Sequence, residues 1–118
     1  MDRMDTVLTL EAAGAACCAP VTREVLSAED AQVHAQTLKA VADPTRLRLL
    51  SLIAAGEGGE ACVCNLTGPL GISQPTVSHH LKILVQAGIL TRARRGNWAY
   101  FSLVPGSLDA VGAILVGR

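Results

Sequence analysis

The chain has 118 residues, half of them hydrophobic and only 3% aromatic, with a formal net charge of zero. This length suffices for one domain, and a core rich in Leu, Val, Ile and Ala favours packed helices over a β-sandwich. No apolar run approaches the roughly 20 residues that a membrane span needs. The first residues mix charges and lack a long apolar stretch, so we expect no secretory signal and a cytoplasmic protein.

Charge is distributed unevenly along the chain. Residues 1–72 carry five basic and nine acidic side chains, whereas residues 73–118 carry five basic and one acidic. The neutral total therefore hides a basic half, which is typical of a protein that presents one face to a polyanion. Chance segregation of so few charges is the alternative explanation.

The N-terminal part predicts an arm followed by a helix. Residues 1–26 are small, Ala-rich and without periodicity, and we interpret them as a flexible N-terminal arm ahead of one domain over residues 27–118. Ser27 is predicted to cap a helix that runs to about Val41. The residues that this helix is expected to bury are Ala31, Val33 or His34, Leu38 and Val41.

A second helix is predicted to begin at Pro44, with Asp43 as its cap, and to end before Gly56. It is apolar on more than one side, which is typical of a central core helix. The apolar residues concerned are Leu47, Leu49, Leu50, Leu52 and Ile53.

The next segment predicts a helix-turn-helix. A short helix over residues 62–70 is expected to be interrupted or ended at Gly68-Pro69 and to lead into a turn over residues 71–73. A longer amphipathic helix begins at residue 73 or 74 and reaches residue 86 or 87, with Gly88 as its left-handed stop. A short helix, a glycine turn and an amphipathic helix in this order form the motif.

Two strand-like runs follow the helix-turn-helix. They flank Arg95-Gly96-Asn97, a turn signal, and predict a β-hairpin with a basic tip over residues 89–104. Ser107 is predicted to cap a last apolar helix over residues 108–116. The predicted fold class is therefore α+β and mainly helical, a winged helix-turn-helix with about five helices and a hairpin wing.

The longer helix of the helix-turn-helix is predicted to read DNA. Val77, Leu81, Leu84 and Val85 fall at helical spacing toward a core, while short polar residues occupy the remaining positions. Such a helix fits the major groove, and nearby cations neutralise phosphates. The adjacent His79 and His80 cannot share one face, so they form no joint metal site. The predicted DNA-binding residues are Gln74, Thr76, Ser78, His79, Lys82, Arg92, Arg94 and Arg95.

Four cysteines in a cytosolic chain more often indicate free thiols, metal ligands or redox chemistry than structural disulfides. Thiolates suit Zn, Cd, Pb and trivalent arsenic. In a regular helix, Cys62 and Cys64 point about 200° apart. Both can contribute to one site if the first turn is unwound. Otherwise only one of them points toward the arm and binds the ion together with it. Burial as a small hydrophobe suits Cys64 but not Cys17 and Cys18, because the arm offers little core. The predicted metal ligands are Cys17, Cys18, Cys62 and Cys64.

Three segments of the chain together resemble the ArsR/SmtB family of metal-sensing repressors: residues 42–50, 60–66 and 73–82. The resemblance implies a winged-helix homodimer joined by its first and last helices, which occupies operator DNA without inducer and leaves when inducer binds. Cys62 and Cys64 match the family's C-V-C sensor element. Asn65 stands where such members often have Asp, and we expect this to alter capping more than ligation.

Cys17 and Cys18 resemble the arm thiols of actinobacterial arsenic sensors, in which they complete a three-sulfur site with a helix cysteine. Other members with arm cysteines and this element sense Cd or Pb through four sulfurs. The family's zinc site on the last helix needs His and carboxylate ligands, and residues 107–118 offer only Asp109.

The resulting interpretation is a repressor that binds operator DNA as a homodimer and is released by As(III) on its cysteine thiolates, with no organic cofactor. The alternatives are a four-thiolate Cd(II) or Pb(II) sensor, a thiol-redox-sensing repressor and a protein-interaction winged helix. An enzyme is not expected, because the chain has no C-x-x-C, no βαβ pattern and no catalytic constellation.

Overall fold

The computed structural model describes residues 25–116. The predicted arm, with Cys17 and Cys18, lies outside these residues apart from its last two. No helix among the described residues is long and apolar enough to cross a membrane. In chain order the elements are α1 (Ala28–Val41), α2 (Pro44–Ala55), a 3-10 turn (Glu57–Gly59), β1 (Glu60–Cys62), α3 (Val63–Leu70), α4 (Gln74–Gln86), β2 (Leu90–Arg95), β3 (Trp98–Leu103) and α5 (Asp109–Leu115).

Side-chain caps begin α1 and α2 where the sequence predicts them. Ser27 Oγ accepts the backbone N–H of Asp30 at 3.0 Å at the start of α1. Asp43 Oδ2 accepts the N–H of Arg46 at 3.1 Å at the start of α2, and this bond holds the pKa of Asp43 below its ordinary value. Each cap satisfies a backbone donor that a helix start leaves without an intrahelical partner.

The core lies where α2, α4 and the sheet meet. As predicted, Val77, Leu81 and Leu84 of α4 are buried, and they pack with Leu49 and Ile53 of α2 in one cluster. Burying apolar side chains from several elements in one place is the main contribution to the stability of such a domain. The core therefore holds α4 by its apolar side and leaves its other side free.

The predicted burial of α1 is only partly confirmed for the chain taken alone. Val41 is half-buried and packs against the core. Ala40 is the buried residue of α1, whereas Val33 is 62% and Leu38 is 37% exposed. On α2, Leu47 is likewise 55% exposed rather than part of the core. Periodicity identifies the apolar side of a helix but does not identify what covers it.

Three boundaries also differ from the prediction. Helix α3 continues through Gly68-Pro69, because Pro69 falls near its end, and Gly71 then terminates it with a φ of 67°. Helix α5 begins with Leu108 rather than Ser107 at the cap position. The hairpin turn is two residues long, since Arg95 still pairs with Trp98.

The hairpin carries a third strand that the sequence did not reveal. Strands β2 and β3 form the predicted hairpin, and β1 adds to the other edge of β3, so that the antiparallel order is β1-β3-β2. In this ladder Glu60 pairs with Ser102, Ala61 with Phe101 and Cys62 with Tyr100. Cys62 is therefore both the last residue of β1 and the residue immediately before α3.

Candidate nucleic-acid interface and thiol pair

The side of α4 that points away from the core carries the polar residues predicted to read DNA. The residues of this exposed surface are Gln74, Thr76, Ser78, His79 and Lys82. Ser73 Oγ caps the helix at the N–H of Thr76, at 3.4 Å, and lies 2.9 Å from Thr76 Oγ1. The first turn of α4 therefore starts at a defined residue and presents its backbone N–H groups beside short polar side chains.

The two adjacent histidines of α4 have different surroundings. His79 is exposed, whereas His80 is half-buried with its Nδ1 3.1 Å from Arg46 Nη1. Arg46 also donates through Nε to the carbonyl of Ala40 at the end of α1. Arg46 and His80 thus tie α4 to the junction of α1 and α2, while His79 is available to a partner molecule.

The three arginines of β2 lie on two sides of the hairpin. Successive side chains of a strand point to opposite faces, so Arg92 and Arg94 share one face and Arg95 lies on the other. Arg92 is paired with the buried Phe101 and lines a cleft beside α4. All three arginines are exposed, as a phosphate contact requires, but they are not equivalent.

Arg95 is engaged within the chain. Its Nη2 forms a salt bridge with Oε1 of Glu60, and its Cζ lies 4.2 Å from the centroid of the Tyr100 ring. The hydrogen bond from Arg95 to Glu60 raises the pKa of Arg95 above its ordinary value. The sequence did not predict this partner of Arg95, because Glu60 lies 35 residues before Arg95 in the chain.

A cleft of about 630 Å³ separates α4 from the hairpin. We call it the α4–hairpin cleft. It brings predicted DNA-binding residues from both elements together with one of the predicted metal ligands and the single tryptophan of the chain. Among the residues that line it are Cys64, Gln74, Ser78, Lys82, Arg92 and Trp98.

Cys62 and Cys64 lie where β1 ends and α3 begins, and we call this segment, residues 62–64, the thiol junction. The prediction that the helix begins at Cys62 is wrong: Cys62 has extended backbone angles (φ −95°, ψ 166°), and α3 begins at Val63. The expected divergence of the two side chains therefore does not apply. Their Cα atoms are 5.3 Å apart, and the structure pairs the two Sγ atoms with each other.

The two thiols differ in exposure. The expectation that Cys64 is the buried cysteine is wrong: Cys62 is 3% exposed, whereas Cys64 is exposed and lines the α4–hairpin cleft. The backbone N–H of Cys62 donates to Oδ1 of Asn65 at 3.1 Å. The side chain of Asn65 therefore takes part in capping the N-terminus of α3. Within residues 25–116, no group of three or more His, Cys, Asp or Glu residues converges as a metal site. The described part of the chain thus brings two cysteine side chains together.

A helix-turn-helix followed directly by a β-hairpin defines the winged-helix class of DNA-binding domains. Residues 43–92, from the cap of α2 into β2, match the family described as "Bacterial regulatory protein, arsR family". The chain is 46% identical over 70 residues to an uncharacterized HTH-type transcriptional regulator of Methanocaldococcus jannaschii, an alignment that covers 59% of this chain and 76% of that one. The chain belongs to the arsR family, whose members are DNA-binding transcriptional regulators and not enzymes.

Two further relatives carry names that refer to metalloids. The arsenic resistance transcriptional regulator ArsR1 of Pseudomonas putida is 48% identical over 79 residues, which cover 67% of this chain and 60% of that protein. The crystal structure of the AntR antimony-specific transcriptional repressor matches with a TM-score of 0.64 at 32% identity, covering 80% of this chain and 86% of that one. The chain therefore spans less than two thirds of the length of ArsR1.

Proposed function

We propose that this arsR-family regulator is a cytoplasmic homodimeric repressor that releases its operator when As(III) binds its cysteine thiolates. The observation that carries the proposal is the position of Cys64. Cys64 lines the same cleft as Gln74, Ser78, Lys82 and Arg92. An inducer bound through this thiol therefore occupies, or reshapes, the surface that meets DNA.

Operator recognition is assigned to α4 and the hairpin. The first turn of α4 enters the major groove, where Gln74, Thr76, Ser78 and His79 face base edges. Lys82 of α4 and Arg92 and Arg94 of β2 neutralise phosphates, which supplies affinity without reading sequence. The exposure of these side chains supports the assignment.

The homodimer is supported by apolar residues that the single chain leaves uncovered at both ends of the fold. On α1, Val33 is 62% exposed; on α5, Ile114 is 45% and Leu115 is 68% exposed. A second copy that packs its own α1 and α5 against these residues removes them from water. It also places two reading helices about one DNA turn apart, roughly 34 Å, so that both half-sites are bound together.

The inducer is assigned from the donor set. Trivalent arsenic is a soft centre that three thiolates can hold, and soft thiolates select soft ions over hard ones. Cys62 and Cys64 supply two thiolates, and Cys17 or Cys18 of the N-terminal arm supplies the third. The names of the relatives ArsR1 and AntR, which refer to arsenic and antimony, favour a trivalent metalloid over a divalent metal.

The proposed coupling runs through α3. This helix starts immediately after Cys62 and leads through Gly71 to the first turn of α4. A ligand that pulls on the start of α3 therefore shifts α4 relative to its partner helix in the dimer. The inducer dissociates DNA only to the extent that it binds the DNA-free conformation more tightly.

One observation favours a second candidate, a thiol-redox-sensing repressor. The structure pairs the Sγ atoms of Cys62 and Cys64. In this scheme hydrogen peroxide accepts two electrons from the two thiols, giving one disulfide and two molecules of water, and the altered start of α3 weakens DNA binding. A Cd(II) or Pb(II) sensor with four thiolates differs from the As(III) sensor only in using both arm cysteines.

A release titration distinguishes these candidates. Operator duplex bound to the reduced full chain is titrated with arsenite, Cd(II), Pb(II) or hydrogen peroxide, in the wild type and in Cys17→Ser, Cys18→Ser, Cys62→Ser and Cys64→Ser. The proposal predicts release by arsenite that requires both Cys62 and Cys64 and one arm cysteine. Dependence on all four cysteines would favour Cd(II) or Pb(II), release by peroxide alone would favour the redox sensor, and an arsenite response unchanged in every variant would exclude a thiol site.

A further inference from the structure

Glu60 connects the thiol junction to the tip of the hairpin. Its carboxylate forms the salt bridge with Arg95, whose guanidinium lies over the Tyr100 ring. The same short strand, β1, ends two residues later at Cys62. Glu60, Tyr100 and Arg95 lie on one face of the sheet, as the pairing of Glu60 with Ser102 and the alternation of strand side chains require.

This face is distinct from the one that bears Arg92. Arg92 lines the α4–hairpin cleft, whereas neither Arg95 nor Glu60 belongs to its lining. A cation held by a carboxylate presents little net charge to a phosphate. The basic hairpin tip thus carries two arginines without an ion-pair partner among the described residues, Arg92 and Arg94, and one neutralised arginine.

We propose that Glu60 limits DNA binding: it positions Arg95 by an ion pair and so keeps this arginine from the operator phosphates. The proposal rests on the operator binding proposed above and adds to it a residue outside the reading surface. Glu60 lowers DNA affinity because it occupies Arg95, so that a phosphate can bind this guanidinium only by displacing the carboxylate.

The salt bridge is exchangeable. The side chain of Arg95 remains 54% exposed and that of Glu60 28% exposed, and exposed ion pairs are only weakly favourable in water. A phosphate oxygen therefore competes with Glu60 for one guanidinium. The strength of the operator complex depends on how β1 places Glu60 relative to β2.

The position of β1 links this contact to the thiols. Cys62 is the ladder partner of Tyr100, the residue on which Arg95 rests. A ligand that draws Cys62 toward another thiol displaces β1 along β3 and moves Glu60 with it. Inducer binding thereby changes the charge available at the hairpin as well as the position of α4.

A double-mutant cycle tests the proposal. Operator affinity is measured as a function of salt concentration for the full-length wild type, Glu60→Gln, Arg95→Gln and the double variant. A phosphate contact contributes about 0.9 to the slope of log K against log salt. We expect Arg95→Gln to change the slope little in the wild type and by about 0.9 in the Glu60→Gln background. We expect Glu60→Gln alone to tighten binding several-fold.

Matched variants separate this role from charge alone and from stability. Glu57→Gln removes an exposed carboxylate three residues earlier in the chain and should leave the effect of Arg95→Gln unchanged. Arg94→Gln should lower the slope equally with and without Glu60. If Glu60 serves only to stabilise the sheet, Glu60→Gln will lower the melting temperature and weaken DNA binding.

Three results would overturn the proposal: weakened or unchanged binding in Glu60→Gln, an equal loss of slope from Arg95→Gln in both backgrounds, or an equal response in Glu57→Gln. A wild-type chain that binds no operator contradicts the proposed function itself. Wild-type binding with additive effects of Glu60 and Arg95 contradicts only the inference.

Discussion

Cys62 and Tyr100 are partners in the antiparallel ladder between β1 and β3. The thiol junction is therefore joined to both elements that flank the α4–hairpin cleft: to α4 through α3, and to the hairpin through β1. Because Cys62 is extended and Cys64 lies in the first turn of α3, the two side chains lie next to each other without any unwinding of the helix. A displacement at this junction would therefore reach both sides of the cleft.

The two thiols should differ in their effect on stability. Cys62 is 3% exposed, and a hydroxyl buried there without a partner lowers the free energy of unfolding by about 1–3 kcal/mol. Cys64 is exposed, so Cys64→Ser should change it by less than about 0.5 kcal/mol. Urea denaturation under reducing conditions measures both values. Equal values for Cys62→Ser and Cys64→Ser would contradict the assigned burial.

Lys82 and Gln74 should affect DNA binding differently. Lys82→Gln removes a phosphate contact, so it should weaken all duplexes alike and lower the salt slope by about 0.9. Gln74→Ala removes a base contact, so it should reduce discrimination at one base pair by about 1–3 kcal/mol. Fluorescence anisotropy with the operator and single-base variants measures both effects. A uniform loss for Gln74→Ala would show that Gln74 does not read a base.

The dimer should depend on the uncovered apolar residues of α1 and α5. A charge at either position must be buried in the interface, so Val33→Glu and Leu115→Glu should shift the chain from dimer to monomer and weaken operator binding. Trp98→Glu is the matched control for assembly alone, because Trp98 is 57% exposed but lies on the hairpin rather than on α1 or α5. Sedimentation measures the assembly. Dimers that survive both charge substitutions would place the interface elsewhere.

The cap of α2 should make stability depend on pH. The bond from the Arg46 N–H lowers the pKa of Asp43 in the folded chain, so the ionised cap stabilises the fold at pH values above the ordinary carboxyl pKa of 3.8. This contribution is lost as the pH falls through the lowered folded pKa. Asp43→Asn should therefore flatten acid denaturation relative to the wild type. Identical acid profiles for Asp43→Asn and the wild type would contradict the role of Asp43.

Local signals in the sequence were sufficient for most of the fold. Ser27, Asp43 and Ser73 each mark a helix start because a cap acts within three residues of the position it caps. The apolar spacing in α4 predicted its buried side correctly, because helical periodicity is also a local property of the sequence. The basic hairpin was recognisable from its two strand-like runs and its glycine turn.

The remaining features depend on contacts between distant residues. Strand β1 has three residues, too few for alternation to be recognised, so the extended state of Cys62 and the convergence of the two thiols could not be predicted. The salt bridge of Arg95 with Glu60 depends on the same strand. The burial predicted for Val33 and Leu38 of α1 is not seen in the single chain, because periodicity identifies an apolar side but not what covers it.

The most direct test of the account measures linkage in both directions. The operator affinity of the reduced wild-type chain is determined with and without saturating arsenite, and the arsenite affinity is determined with and without operator. We expect both affinities to fall by the same factor, because coupling between two sites is reciprocal, and Cys64→Ser to abolish both changes. An arsenite affinity that is unaffected by operator DNA would contradict this expectation.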